Sequence, residues 1–123
     1  MTAMTLEECY AALEGDYADV LNRLHSERLV QKFALKFIND GSYDLLCSSF
    51  ETQNREEAFR AAHTLKGVCQ NLSFTRLYQS SHNLTEALRV DWTPEAPGLF
   101  EEVKRDYAQT LTAIKTLADS VES

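Results

Sequence analysis

Proline and glycine are nearly missing from this chain, two and four among 123 residues. That excludes collagen-like and turn-dense folds and leaves room for long helices. An excess of positive charge is missing too: 12 basic residues stand against 19 acidic ones, a net charge of −7. Nucleic-acid phosphates and anionic membrane surfaces call for the opposite sign. No apolar run approaches the roughly 20 residues of a membrane span. The first ten residues, MTAMTLEECY, have no basic start followed by an apolar run, so no secretory leader is expected. Three cysteines, Cys9, Cys47 and Cys69, are an odd number without framework spacing. Each falls on or beside an apolar stripe, which fits small buried hydrophobes in a reducing cytoplasm. There is no Walker loop, so no ATP site is expected.

What is present is helical periodicity nearly throughout. Leu6, Cys9, Tyr10 and Leu13 form a first stripe, with Thr5 and Glu8 spaced as a capping box. Tyr17, Val20, Leu21 and Leu24 form a second. Ser26 is placed to cap a third, striped by Leu29, Val30, Phe33, Ala34, Phe37 and Ile38 and ended by NDGS. Tyr43, Leu46, Cys47 and Phe50 give a short fourth. Asn54 with Glu57 opens a long fifth, ending near Ser73. The sixth runs to about Arg89, with Phe74, Leu77, Tyr78, Leu84 and Leu88 inward. DWTPEAPG is the clearest loop, since two prolines three apart cannot share one helix interior. Val103, Tyr107, Leu111, Ile114 and Leu117 stripe the last helix. Short links favour antiparallel neighbours. The expected fold is all-α, an antiparallel up-down four-helix bundle over 26–120, with residues 1–25 as short accessory helices.

The fifth helix carries the stretch AAHTLKGVCQNLSF, residues 61–74. At roughly 100° per residue, Ala58, Ala61, Ala62, Leu65, Val68, Cys69 and Leu72 gather on its core side. His63 lies roughly 160° from the centre of that stripe, so it is expected to be exposed. Gly67 sits one turn further on the same outer face, where a mid-helix glycine costs about 1 kcal/mol relative to alanine. Pointing away from the core, it serves no internal packing. Its bare backbone lets another protein approach the imidazole. A neutral imidazole is a nucleophile at cellular pH. Lys66, one turn along, is placed to neutralise a phosphoryl group on that ring, with Gln70 as a further donor. Phe59 and Arg60 flank the histidine and are candidates for a docking surface; the alternative for Phe59 is a cover by a loop or the N-terminal helices.

His63, Lys66, Gly67, Leu72 and Ser73 resemble the signature of the histidine-containing phosphotransfer (HPt) domain: His-x-x-Lys-Gly, then an aliphatic residue and glycine five residues later. The resemblance covers residues 26–118. It implies a phosphorylatable His63 that exchanges phosphoryl groups with receiver-domain aspartates, with Lys66 assisting the phosphoryl group and Gly67 admitting the receiver. The implied partners are a response-regulator receiver domain, a hybrid histidine kinase, or both. Mg²⁺ comes with the receiver, and the carrier needs no cofactor of its own. On the next helix, Thr85 falls where family members place a polar residue that bonds the histidine ring, and Glu86 is a substitute for it. His82 falls where the phosphotransfer domain of chemotaxis kinases also has a histidine. Ser73 replaces the second glycine at a helix boundary, where serine caps well. His82 and Glu86 are spaced to touch a metal, but the chain has no Glu-x-x-His pair, so no metal site is expected. His25 is expected only to cap a helix end. A monomer suits a diffusible carrier; the alternative function is a non-catalytic helical interaction module.

Overall fold

The structure, a computed structural model, describes residues 3–122. Reciprocal bonds between Thr5 and Glu8, 2.9 and 3.1 Å, open α1 (Leu6–Ala12). Asp16 accepts from the Asp19 N–H at 3.0 Å to open α2 (Tyr17–Leu24). Ser26 does the same for Leu29 at 3.3 Å ahead of α3 (Glu27–Lys36). Phe37 and Ile38 do not extend α3: a 3-10 turn, Phe37–Asn39, tightens the chain there. That turn seats Phe37 edge-on against Phe74, ring centroids 5.2 Å apart. Then follow α4 (Ser42–Glu51), α5 (Arg55–Leu72, capped by Asn54), α6 (Thr75–Ala87) and α7 (Ala96–Glu122). The proline loop is shorter than the sequence implied. Pro97 lies in the first turn of α7, where a missing N–H costs nothing.

The described residues are helical and contain no strand. α5 lies against both α4 and α6, α6 against α7, and α1 and α3 reach α7. The inward face of α5 is Ala58, Ala61, Ala62, Leu65, Cys69 and Leu72, all buried. Small residues there allow close approach of the flanking helices. Val68, expected in that stripe, is only partly buried. Cys9 and Cys69 are core residues, and burial lifts the Cys9 thiol to about 11. Cys47 is partly buried beside the core. The segment read as an accessory cover contributes Cys9, Tyr10, Leu13 and Val20 to the same core.

That segment also holds the end of α5. The last four carbonyls of a helix lack internal partners, and here each has one. Cys69 accepts from the Phe74 N–H at 2.9 Å, and Gln70 from the Ser73 N–H at 3.3 Å. Asn71 accepts from Arg23 Nη1 at 2.9 Å, and Leu72 from the Tyr10 hydroxyl at 2.8 Å. Ser73 closes α5 in the left-handed region, φ 56° and ψ 39°. Glycine meets that conformation without a Cβ penalty, which explains a glycine at this place in the family pattern. Serine contributes instead through its hydroxyl, which donates to Asp19 at 2.7 Å and accepts from Arg23 at 3.0 Å. It does not cap α6, whose N-cap is Phe74 without a side-chain bond. His25 likewise ends α2 through its backbone, in the left-handed region at φ 63°, with its N–H on the Leu21 carbonyl.

Gly15 lets the α1–α2 link reach this corner. A Cβ there would lie 2.6 Å from the Ser73 carbonyl oxygen and 2.7 Å from Leu13 Cδ1. The next residue, Asp16, donates its N–H to that same carbonyl at 2.8 Å. Gly15→Ala is therefore expected to destabilise the protein by about 1–3 kcal/mol, read as a lower urea midpoint. Gly41→Ala, where a Cβ meets nothing within 4 Å, is the control and stays within about 0.5 kcal/mol.

The Ser73 hydroxyl, and then Arg23, hold the Asp19 carboxyl below its ordinary 3.8. A carboxyl lowered in the folded state stabilises above its unfolded pKa, and that contribution fades as pH falls through the folded value. Between about pH 5 and about pH 2 the urea midpoint of the wild type should fall more steeply than that of Asp19→Asn; parallel slopes would contradict the assignment.

Candidate functional site

His63 stands exposed in the middle of α5, an 18-residue helix. Among the described residues no hydrogen bond or ion pair engages its ring. Its nearest ring neighbour is Phe59, one turn earlier, with centroids 5.9 Å apart and planes inclined by 32°. Phe59 is half-buried. Its neighbour is Arg89 from the loop that follows α6, whose guanidinium carbon lies 5.4 Å from the ring centre. A cation over an aromatic face is an attractive arrangement.

Arg89 owes its place to α5. The last carbonyls near the end of α6 accept from Arg55 Nη1, Leu88 at 2.7 Å and Arg89 at 3.2 Å. Arg55 is the first residue of α5, so the base of the histidine helix grips the end of α6. Arg55, Glu56, Phe59, Arg60, His63 and Arg89 line one depression of about 410 Å³. Three arginines against one glutamate give it positive charge on an acidic chain. Arg60 is exposed and only loosely paired with Glu57, at 3.8 Å.

Lys66 is half-buried one turn beyond His63 and forms no ion pair among the described residues. Its charge reaches Glu86 on α6. The Glu86 carboxyl lies below its ordinary value first through its hydrogen bond to Arg89, with Arg89, His82 and Lys66 adding their charges. His82 stacks on Tyr78 with centroids 6.0 Å apart, and its Nδ1 is buried without a hydrogen-bond partner among the described residues. Thr85 is fully buried and its hydroxyl donates to the Ser81 carbonyl at 2.7 Å. Its proton is thus committed within α6, and only its lone pairs remain for another group.

Gln70 is not brought to His63. Seven residues along a helix is a rise of about 10 Å, and Gln70 lines a separate depression with Asp19, Arg23 and Tyr78. At Gly67 the space is open: a Cβ added there would meet nothing within 4 Å. No internal contact requires glycine at that position. Sequence reasoning missed Arg89 and Arg55. A signal existed for the first, since Arg89 lies three residues beyond Glu86, close enough in the chain to pair with it just past the end of α6.

His63 stands exposed on a capped helix, with Arg55, Arg60 and Arg89 lining the same depression and open space beside Gly67. The Hpt domain family model matches residues 2–116, and the chain belongs to that family. The match takes in the N-terminal helices as well as the histidine helix. Hpt domains serve phosphotransfer in two-component signalling, as phosphocarrier modules that interact with receiver and kinase domains rather than as kinases. Neither a curated protein nor a solved structure matches the chain. Among the described residues no helix is long and apolar enough to cross a membrane.

Because the space beside Gly67 is open, Gly67→Ala should raise stability by about 0.5–1 kcal/mol, seen as a higher urea midpoint. A lower midpoint would mean that the glycine serves internal packing after all.

Proposed function

We propose that His63 is the phosphoryl-carrying residue, taking the group from a receiver-domain aspartyl phosphate and returning it to another. The observation that carries this reading is an unbonded imidazole on the outer face of α5 beside the open space at Gly67. One ring nitrogen attacks phosphorus. An N–P bond forms as the P–O bond to the aspartate breaks, and the aspartate leaves as a carboxylate. The other ring nitrogen keeps its proton, so the phosphorylated ring is an imidazolium.

The phosphoryl group adds about −1.5 to −2 charges. Lys66 supplies a flexible positive charge one turn along, and Arg89 a planar fork suited to phosphate oxygens. Gly67 leaves the receiver backbone room to approach, and Phe59 with Arg60 offers it an apolar and a cationic contact. Thr85, His82 and Glu86 on α6 are the candidates to support the ring; Gln70 is better placed to meet the partner than the phosphoryl group. The receiver brings Mg²⁺ and its aspartate, and the carrier adds no cofactor. The fold reading that accompanies this function is an antiparallel up-down four-helix bundle, acting as a monomer in the cytoplasm.

The test is incubation with phosphorylated receiver domains carrying a radiolabel. Acid-labile, base-stable label should appear on the wild-type chain and be absent from His63→Gln, with the thermal midpoint of the variant unchanged. Label retained by His63→Gln, or mapped to His25 or His82, would sink the assignment. Receiver binding with no transfer at all would favour the interaction-module alternative.

A further inference from the structure

One guanidinium in the depression that holds the histidine is already occupied. Arg89 Nε donates to Glu86 Oε2 at 3.0 Å and Arg89 Nη2 to Glu86 Oε1 at 2.8 Å. This is a two-pronged bond of the kind that arginine also makes to phosphate. The same guanidinium lies over Phe59, which is the ring neighbour of His63. Arg89 and His63 share the walls of one depression. Glu86 also senses Lys66 and His82. One carboxylate therefore sits among the cations that a phosphoryl group on His63 would use.

We propose, resting on the carrier reading above, that Glu86 is a built-in competitor for Arg89: phosphorylation of His63 draws Arg89 off Glu86, and the exchange limits how firmly the phosphoryl group is held. The pair suits such an exchange. Both side chains are about half exposed, 50% for Arg89 and 44% for Glu86, and exposed ion pairs of this kind are weak. The phosphoryl group brings more charge and three acceptor oxygens. Three residues apart at the end of α6 and just beyond it, Glu86 and Arg89 can part by side-chain rotation. The result is a phosphohistidine less stable than its cations alone would make it. Glu86 is a positioning residue, acting through Arg89.

The experiment uses the full chain and phosphoramidate as donor. Its P–N bond breaks, the N–P bond to His63 forms, and ammonia leaves with the electron pair of the broken bond. The phosphorylated to unphosphorylated ratio at fixed phosphoramidate and ammonia is read by ³¹P NMR. Glu86→Gln should raise that ratio about two- to fivefold over wild type, with the thermal midpoint little changed. Glu86→Asp should stay near wild type. Adding Arg89→Gln should remove the gain, so that the double variant matches Arg89→Gln alone. In the wild type, phosphorylation should move the Arg89 Nε–H resonance and raise the Glu86 carboxyl titration toward its ordinary range. An unchanged ratio in Glu86→Gln, or Arg89 and Glu86 signals that ignore phosphorylation, would overturn the proposal while leaving the carrier reading intact. A wild-type chain that accepts no phosphoryl group on His63 would overturn both.

Discussion

The closed end of α5 is the constraint on which the rest depends. A nucleophile displayed on a helix is only as well positioned as the helix itself, and helices fray from their ends. Here the final carbonyls of α5 are engaged by Tyr10 from α1, Arg23 from α2 and the N–H groups of the next turn. Gly15 and Asp16 bring the α1–α2 link against Ser73 at the same corner. Helices α1 and α2 and the link between them thus have a mechanical reason to be present. They meet α5 at the end far from Arg55 and fix the axis along which His63 is presented.

The other end of α5 works differently. Asn54 caps it, and Arg55 reaches across to the last carbonyls of α6. That one bond pattern joins fold and electrostatics, because it sets down Arg89 beside Phe59 and His63. The chain is acidic overall, yet cations gather around the histidine: Arg55, Arg60 and Arg89 in the depression and Lys66 one turn beyond. Net charge describes solubility and long-range steering; the local arrangement decides where an anionic group can rest.

Residues whose meaning is confined to one helix were legible in the sequence. The caps at Thr5, Ser26 and Asn54 follow from spacing alone, and so does the outward face shared by His63 and Gly67. What escaped were relations between distant segments. Arg89 acquires its meaning from packing of α6 on α5 and from a backbone bond that no local pattern encodes. Ser73 reads as a helix-starting serine, but the left-handed turn and the partners Asp19 and Arg23 make it a helix-ending one. Phe37 continued the period of α3, yet its place against Phe74 goes with a tighter turn. Asp106 carries no signal in the local pattern, yet it is 5% exposed and paired at 2.9 Å with Arg76, which also holds Glu14 at 2.7 Å. Tertiary pairing overrides the local signal in each case.

The openness of the site bears on where the catalysis of transfer resides. Electrostatic stabilisation of a transition state is strongest when donors are preorganised in a water-excluded site. The cations around His63 sit on half-exposed or exposed side chains, in a shallow depression rather than a closed pocket. In water-rich surroundings their attraction for phosphate is modest. On the proposed carrier reading, such a site would hold a phosphoryl group without binding it tightly, which suits a group that must leave again. Exclusion of water and a fixed metal charge would then come from the docked receiver, closing over the bare backbone at Gly67. A rigid helix, an unhindered imidazole and loosely held cations are what this chain would bring to that encounter.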